Sequence, residues 1–571
     1  MGNGQSRRAH RKLGVAHRAA VSLHPFEAIV IGSGATGGVA AMTLAEAGIR
    51  VLVVEAGPDR SPADALGGEP GNSFRRAEGL ISGRHRRQAR HPGYWKQNPD
   101  LYADERQYPY STPEDQPYLW TQGRQVGGRS LTWGGITLRL SDYEFKAADQ
   151  DGHGRNWPIN HQDLDPHYSA LERLFEVRGG HDRLSHLPDG QMAPALPFMP
   201  EEERLRDLLI RERGVPLIHS RGFEAHQRTP TAEWPRASSN GSSLERALAT
   251  GRVQVLCNSM AESLEVDPTR QRARSVVVVN RISGERQRLN CDLVVTCAST
   301  IATLRLLLQS EQQENSQGFN DPSGLLGQGL MDHVSCCRFF SVASETGRIA
   351  TQQQDPSSTL SGAGSFFLPF GNAPGVCAGR QFLRGYGIWG AINRFDPPWW
   401  LKRNPARRLG FLIGHGEVLY EPSNRVCLSE RCDPLDVPMP HISCRWGTNE
   451  QAMVQDMQQT IQDCIDLAGG VTTSLADLVH LPLVAPLVRN AVAAQENAPP
   501  PGYYIHEVGG APMGTSEEQS VVDAWNRLWR CPNVLVVDGA CWPSSGWQSP
   551  TLTMMAITRR ACLQALKPGS D

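Results

Sequence analysis

Residues 26–37 read Phe26-Glu27-Ala28-Ile29-Val30-Ile31-Gly32-Ser33-Gly34-Ala35-Thr36-Gly37, and the chain runs on through an Ala- and Leu-rich stretch, 40–47, and a second apolar run, 50–54, to Glu55. The opening run suits a strand buried on both faces of a parallel sheet. Three glycines follow at GxGxxG spacing, each with its own task. Gly32 permits the tight turn, Gly34 lets a pyrophosphate approach the backbone, and Gly37 brings helix and strand together. Gly48 suits the left-handed cap that ends the helix. Phosphates would sit at the helix N-terminus, where the amide dipoles favour negative charge. Glu55 stands where a carboxylate accepts hydrogen bonds from ribose hydroxyls. Strand, turn, helix and acid together predict a dinucleotide site, although the turn alone does not separate FAD from NAD.

The rest of the chain bounds what this unit belongs to. At 571 residues it exceeds what a single core fills, so two or more domains are expected. A hydrophobic content of 39%, with 56 Gly and 40 Pro, is globular and rich in turns. A net charge of -2 carries no nucleic-acid footprint. No uninterrupted apolar run reaches about 18 residues, so no transmembrane segment is expected. Even 481–494, the most apolar late stretch, is broken by proline and by Arg489 and reads as core. The thirteen cysteines form no paired CxxC, and an odd number leaves at least one thiol free. No metal site is expected, and the setting reads as reducing and cytoplasmic. Residues 1–25 read as a flexible basic leader, with Arg7, Arg8, Arg11, Lys12 and Arg18 and no acid. Arg7-Arg8 and Met1-Gly2 with Ser6 fit export and myristoylation patterns, but His17 and Arg18 stand where an export signal needs an apolar core.

Further along stands Gly123-Arg124-Gln125-Val126-Gly127-Gly128-Arg129-Ser130-Leu131-Thr132-Trp133-Gly134-Gly135, dense enough in glycine for backbone amides to lie against a ring or a phosphate. Near the end come His506-Glu507-Val508-Gly509-Gly510-Ala511-Pro512-Met513-Gly514 and a strand, 533–540, that closes on Asp538 and Gly539. Ser549-Pro550-Thr551-Leu552-Thr553 then leads into a final helix over 553–566 with proline in its first turn.

These blocks, with 292–308 (DLVVTCASTIATLRLLL) and 324–333 (GLLGQGLMDH), resemble the glucose-methanol-choline (GMC) oxidoreductases, most of all the branch of pyranose oxidase and bacterial gluconate and related sugar dehydrogenases. The resemblance implies an α/β, Rossmann-like FAD-binding domain with an inserted α+β substrate domain. The FAD domain is expected over 26–160, 200–335 and 500–571, and the substrate domain over 161–199 and 336–499, with an amphipathic helix at 449–467. It implies that Gly127, Gly128 and Ser130 line the flavin and that Asp538 and Gly539 hold its pyrophosphate or ribityl region. Thr551 would open the helix whose N-terminus faces the pyrimidine end, stabilising negative charge there. Trp133 and Trp547 fall in blocks expected near the ring.

The same resemblance places His506 in register with the family's base. Histidine titrates near neutrality, so a neutral imidazole can take the proton of an alcohol. The expected reaction is oxidation of a CH–OH group of a sugar, polyol or other alcohol, by proton abstraction and hydride transfer to flavin N5. The partner is then a small alcohol or carbohydrate, with the electron acceptor left open. A flavoprotein of the same fold with other chemistry, such as a lyase, or without catalysis, is the alternative. His333 recurs in a block and reads as structural. Two positions depart from the family. Thr132 stands where pyranose oxidase carries the histidine that bonds its flavin, so FAD is expected to be non-covalent. Ser549 replaces the usual Asn or His that shares the substrate oxygen with the base; its hydroxyl can donate and accept, on a shorter side chain.

Overall fold

The computed structural model describes residues 26–567 except 67–70, 226–232, 268, 312–318, 345–358, 372–378, 395–403, 405, 475–477 and 479–497. The leader 1–25 and the apolar stretch 481–494 therefore lie outside the described residues.

The opening motif folds as its residue types dictate. Strand β1 (Ala28–Ile31) is wholly buried, and the chain turns at Gly32, whose φ of +102° is open to glycine and strained for other residues. Helix α1 (Ala35–Glu46) follows, buried from Thr36 to Ala45, and β2 (Val51–Val54) returns beside β1 in parallel. The six-stranded sheet runs Arg527–Leu528, Cys531–Val536, Leu293–Thr296, β1, β2, Val253–Leu256. All neighbours pair in parallel except the first two. Such sheets place ligands beyond their strand carboxyl ends, and here those ends deliver Gly32, Glu55, Cys297 and Asp538 to one cavity.

A short helix, α2 (Pro92–Lys96), lies at the far side of that cavity. The second six-stranded sheet is antiparallel and includes β3 (Val334–Ala343), β4 (Tyr386–Ile392) and β5 (Arg407–Gly416) in the order β3-β5-β4. The Thr448–Leu467 helix, expected at 449–467, covers one face. On β3, β5 and β4, Cys337, Ile413 and Trp389 stand opposite one another, and all three line the cavity. Helix α3 (Thr551–Ala565) closes the chain and packs on α1.

Several elements pack across the expected boundaries. Within 200–335, the Pro200–Arg213 helix packs on Thr448–Leu467, and Ile218–His219 pairs with Phe366–Leu368 of the second sheet. Within 161–199, the His161–Phe175 helix packs on α3, with Tyr168 Oη 2.8 Å from Thr553 Oγ1. Within 336–499, the hairpin of Arg425–Cys432 and Pro438–Ser443 packs on the Thr300–Glu311 helix. A two-residue strand carries no periodicity, and which surface an amphipathic helix meets is decided by tertiary contacts.

The turn's glycines differ in what surrounds them. A Cβ on Gly37 would lie 1.9 Å from the Gly32 carbonyl oxygen, whereas one on Gly34 would meet only the Gly127 oxygen, at 3.9 Å. Gly37→Ala should lower apoprotein stability by about 1–3 kcal/mol, and Gly34→Ala by less than about 0.5 kcal/mol. Thermal melting of the two variants checks the contrast; equal melting points would contradict it.

Candidate active site

A cavity of about 490 Å³ runs from the glycine turn to the second sheet. At its near end Glu55 is buried, with Ser33 Oγ donating to Oε2 at 2.5 Å and the Gly57 amide to Oε1 at 2.9 Å. Burial raises its pKa, against these donors, which lower it. Ser33 Oγ also accepts from the Gly127 amide at 3.0 Å, which ties the first turn to the second glycine loop. Gly127 turns at φ +92° and Gly128 at +52°. Ser130 lines the cavity, but its hydroxyl is engaged within the loop, donating to Gly127 O at 2.6 Å and accepting from the Ser239 amide at 2.9 Å. Asp538 is capped by Thr303 Oγ1 at 2.6 Å and the Ala540 amide at 3.1 Å, and burial pushes it up to about 6. Gly539 and Thr551, the first residue of α3, also line the cavity. The open face of Gly34 and the Glu55 carboxylate fit FAD: Gly34 would admit its pyrophosphate and Glu55 would accept from its ribose hydroxyls.

His506 is held from three sides. Its amide donates to Asp332 Oδ1 at 2.9 Å, and Asp332 Oδ2 accepts from the Gly502 amide at 2.8 Å. The preceding Ile505 has φ +66°, an outlier for a β-branched residue and a strain of about 1–3 kcal/mol. The following Glu507 takes both oxygens to Arg129 Nη1, at 2.9 and 2.8 Å, and Arg129 Nη2 donates to Ser299 Oγ at 2.6 Å. That charge-assisted fork ties the Gly127–Gly128 loop to the segment carrying His506.

The imidazole itself meets a second one: His506 Nδ1 lies 2.9 Å from His333 Nδ1. His333 Nε2 is 2.6 Å from the Gly546 carbonyl oxygen, which can only accept. His333 Nε2 therefore carries hydrogen. Burial holds His333 neutral, with its pKa down to about 4, so its Nδ1 is a lone pair. His506 Nδ1 must then donate. Burial, with the neighbouring His333, His415 and Arg129, keeps the His506 pKa well below the usual imidazole value. Its Nε2 is left as an unprotonated acceptor on a cavity-lining residue. Behind the pair, His415 stacks on His333 with centroids 5.3 Å apart.

The structure brings Gly32, Gly34, Glu55, Gly128, Ser130, Thr132, His506, Asp538, Gly539, Ser549 and Thr551 to this one cavity. Gly37 and Gly127 stand behind the wall, shaping the two turns. Trp133 lines the cavity, whereas Trp547 is fully buried against Gly387 and Phe367. Sequence reasoning passed over Asp332 and Arg129, although both lie within the GLLGQGLMDH and glycine-rich blocks, and gave His333 no contact with the base. Among the described residues no group of three His, Cys, Asp or Glu could hold a metal ion.

Comparison with known proteins agrees with an FAD-binding fold of this kind. Residues 421–558 match the family described as GMC oxidoreductase, and residues 27–68 match an FAD binding domain. The 2-methyl-1,2-propanediol dehydrogenase of Mycolicibacterium austroafricanum is 24% identical, over 94% of this chain and 94% of its own. The fructose dehydrogenase large subunit of Gluconobacter japonicus is 22% identical, over 95% and 98%. An Aspergillus oryzae formate oxidase structure, at 16% identity, superposes with a TM-score of 0.60 over 95% and 98% of the two chains, which speaks for the fold.

The buried histidines set a pH dependence whose sign follows from linkage. His333 has a folded pKa of about 4 against 6.5 for an unperturbed imidazole. Between those values the unfolded chain binds a proton that the folded chain refuses. This contribution to stability is therefore complete above pH 6.5 and is lost as pH falls toward 4. Asp332, raised to about 7 by burial, and Asp538 act in the opposite sense. The test is therefore the difference between parent and His333→Asn, followed by denaturant unfolding from about pH 7 to about 4.5, across the window that linkage defines. The parent should lose up to about 1.4 kcal/mol per pH unit more than the variant below the unperturbed value. Parallel curves would show that His333 is not held neutral.

Proposed function

We propose that this chain, a GMC-type FAD oxidoreductase, oxidises a CH–OH group of a sugar, polyol or other alcohol with His506 as its base. The observation that carries the assignment is the Gly546–His333–His506 hydrogen-bond chain, which leaves His506 Nε2 an acceptor in the cavity that also holds the glycine turn. FAD, when bound, supplies the two-electron acceptor for the carbinol carbon. His506 Nε2 accepts the hydroxyl proton, and the resulting imidazolium is steadied by its Nδ1–H bond to the His333 lone pair. Ile413, Trp389 and Trp133 limit water around the developing charge. Ser549, at the foot of α3, offers the hydroxyl that orients the substrate oxygen, directly or through one water.

The cofactor is held without a covalent bond, since Thr132 is a poor nucleophile toward the flavin methyl carbon. A cytoplasmic setting is supported by the twelve described cysteines, all free. Among the described residues no helix is long and apolar enough to cross a membrane. The relatives are named as dehydrogenases and oxidases, which gives the lyase alternative no support.

Three outcomes are expected. Trichloroacetic acid should release the yellow colour into the supernatant; colour kept in the pellet means a covalent flavin. His506→Ala should slow anaerobic flavin reduction by about 10²–10⁴ while FAD stays bound, and reduction at the parental rate would remove His506 as the base. Ser549→Asn should preserve or raise the rate of flavin reduction. Loss of turnover in Ser549→Asn but not in Ser549→Ala would mean the pocket is not built around two partners for one hydroxyl.

A further inference from the structure

The second sheet meets the base at close quarters. His415, on β5, stacks on His333 with centroids 5.3 Å apart, and His333 Nδ1 lies 2.9 Å from His506 Nδ1. The Tyr504 ring bridges the same group, 5.0 Å from the His415 ring and 4.9 Å from that of His506. The face of the sheet that carries His415 is therefore the face beside the base. Side chains alternate along a strand, so a residue two positions away shares that face. On β5 this is Ile413, and its cross-strand partners are Cys337 on β3 and Trp389 on β4. All three line the cavity. One step further along the same face, Phe411 stands opposite Phe339, and the Trp389 and Phe411 rings meet edge to face at 4.9 Å.

The two faces of this sheet meet different surroundings. Leu412, Gly414 and Ile388 belong to the opposite face and are buried. There the Thr448–Leu467 helix packs so closely that a Cβ on Gly414 would lie 2.8 Å from Met457 Sδ. Ile413 and Trp389 are only half-buried, although the residues on either side of each are buried, and both line the cavity. What they present there is hydrocarbon and indole, with the Cys337 thiol beside them. The nearest ion pair is closed on itself, with both Glu507 oxygens on Arg129 Nη1. Trp133, also on the cavity, gives its indole N–H to the Ala237 carbonyl at 2.9 Å.

An alcohol whose hydroxyl reaches His506 Nε2 lays its remaining carbons along this wall. A sugar carries a hydroxyl on almost every carbon, and each one pressed against Ile413 or the Trp389 ring forfeits its hydrogen bonds to water. A hydrocarbon substituent gains in the same place, by about fourfold in affinity for each methylene buried. We infer that Cys337, Ile413 and Trp389 form an apolar substrate subsite, so that the alcohol oxidised at His506 is an aliphatic or aromatic one with few further hydroxyls. This rests on the alcohol-oxidising reading of the same cavity and narrows it. Ile413, at the centre of the row, is then a specificity-determining residue that acts on the substrate's carbon skeleton and not on the reacting hydroxyl.

The test uses the FAD-loaded protein under anaerobic conditions and follows bleaching of the flavin. The probes are the primary alcohols from 1-propanol to 1-octanol, with cyclohexylmethanol and benzyl alcohol, set against glycerol, D-glucitol, D-glucose and D-fructose. The readouts are the half-saturating concentration and the limiting rate. Half-saturation should fall about fourfold with each methylene until the wall is covered, and the two cyclic alcohols should saturate at lower concentration than any polyol or sugar. Ile413→Thr keeps the branch at Cβ that suits a strand. It should raise the half-saturating concentration of the longer alcohols by about tenfold, with 1-propanol and the limiting rates within about twofold. Ile413→Val, one methylene smaller, should cost the longer alcohols about fourfold, which keeps the comparison open if Ile413→Thr loses its FAD. A flat series, sugars or polyols that saturate below the apolar alcohols, or no spectral response to any apolar alcohol overturns the inference. So does an equal weakening of short and long alcohols by both Ile413 variants. Saturable spectral shifts that follow chain length without any bleaching would leave the subsite standing and sink the alcohol-oxidising reading instead.

Discussion

Two imidazole nitrogens 2.9 Å apart, His506 Nδ1 and His333 Nδ1, cannot both be protonated and cannot both be bare. Everything else at the site serves or follows that constraint. The Gly546 carbonyl settles which of the two carries hydrogen, and it does so from the loop that leads to Ser549 and α3. Asp332, next in chain to His333, clasps the backbone of His506. Three segments far apart in sequence thus fix one tautomer. Burial does the rest, because an imidazole that is costly to charge at rest remains an available base at neutral pH.

The fold supplies the convergence. A parallel sheet ends its strands on one side, so Gly32, Glu55, Cys297 and Asp538 arrive together without any local sequence signal that they should. The second sheet closes the opposite wall with Cys337, Ile413 and Trp389, an apolar row that keeps polar groups near His506 few and strongly felt. Arg129 joins the halves of the site, since its fork to Glu507 ties the glycine loop to the segment that carries His506. The strained Ile505 fits the same picture: a backbone cost is accepted where the direction of the next side chain matters.

Much of this was legible in the chain. The glycine turn and Glu55 could be read because each residue there has a local backbone or hydrogen-bonding task at a fixed spacing. The block that carries His506 pointed to it, and its side chain lines the cavity. What stayed hidden depends on distance in space. His333 looked structural because nothing in GLLGQGLMDH says that its ring meets a residue 173 positions later. Ser130 was expected at the flavin, but a hydroxyl among glycines also serves the loop itself, and here it bridges Gly127 and Ser239. Which sheet the chain near 218–219 joins could not be read, because a two-residue strand, Ile218–His219, is recognisable only by its partner.

The proposed role of His506 as base requires it to be neutral with its Nε2 free to accept, and the pH dependence of anaerobic flavin reduction by an alcohol tests this most directly. The rate constant should stay level from neutrality to below pH 6.5, because burial and three nearby imidazole and guanidinium groups hold the folded pKa under that value. A rate that falls through a single protonation at or above 6.5 would contradict it, for His506 would then be charged in the pH range where it has to act.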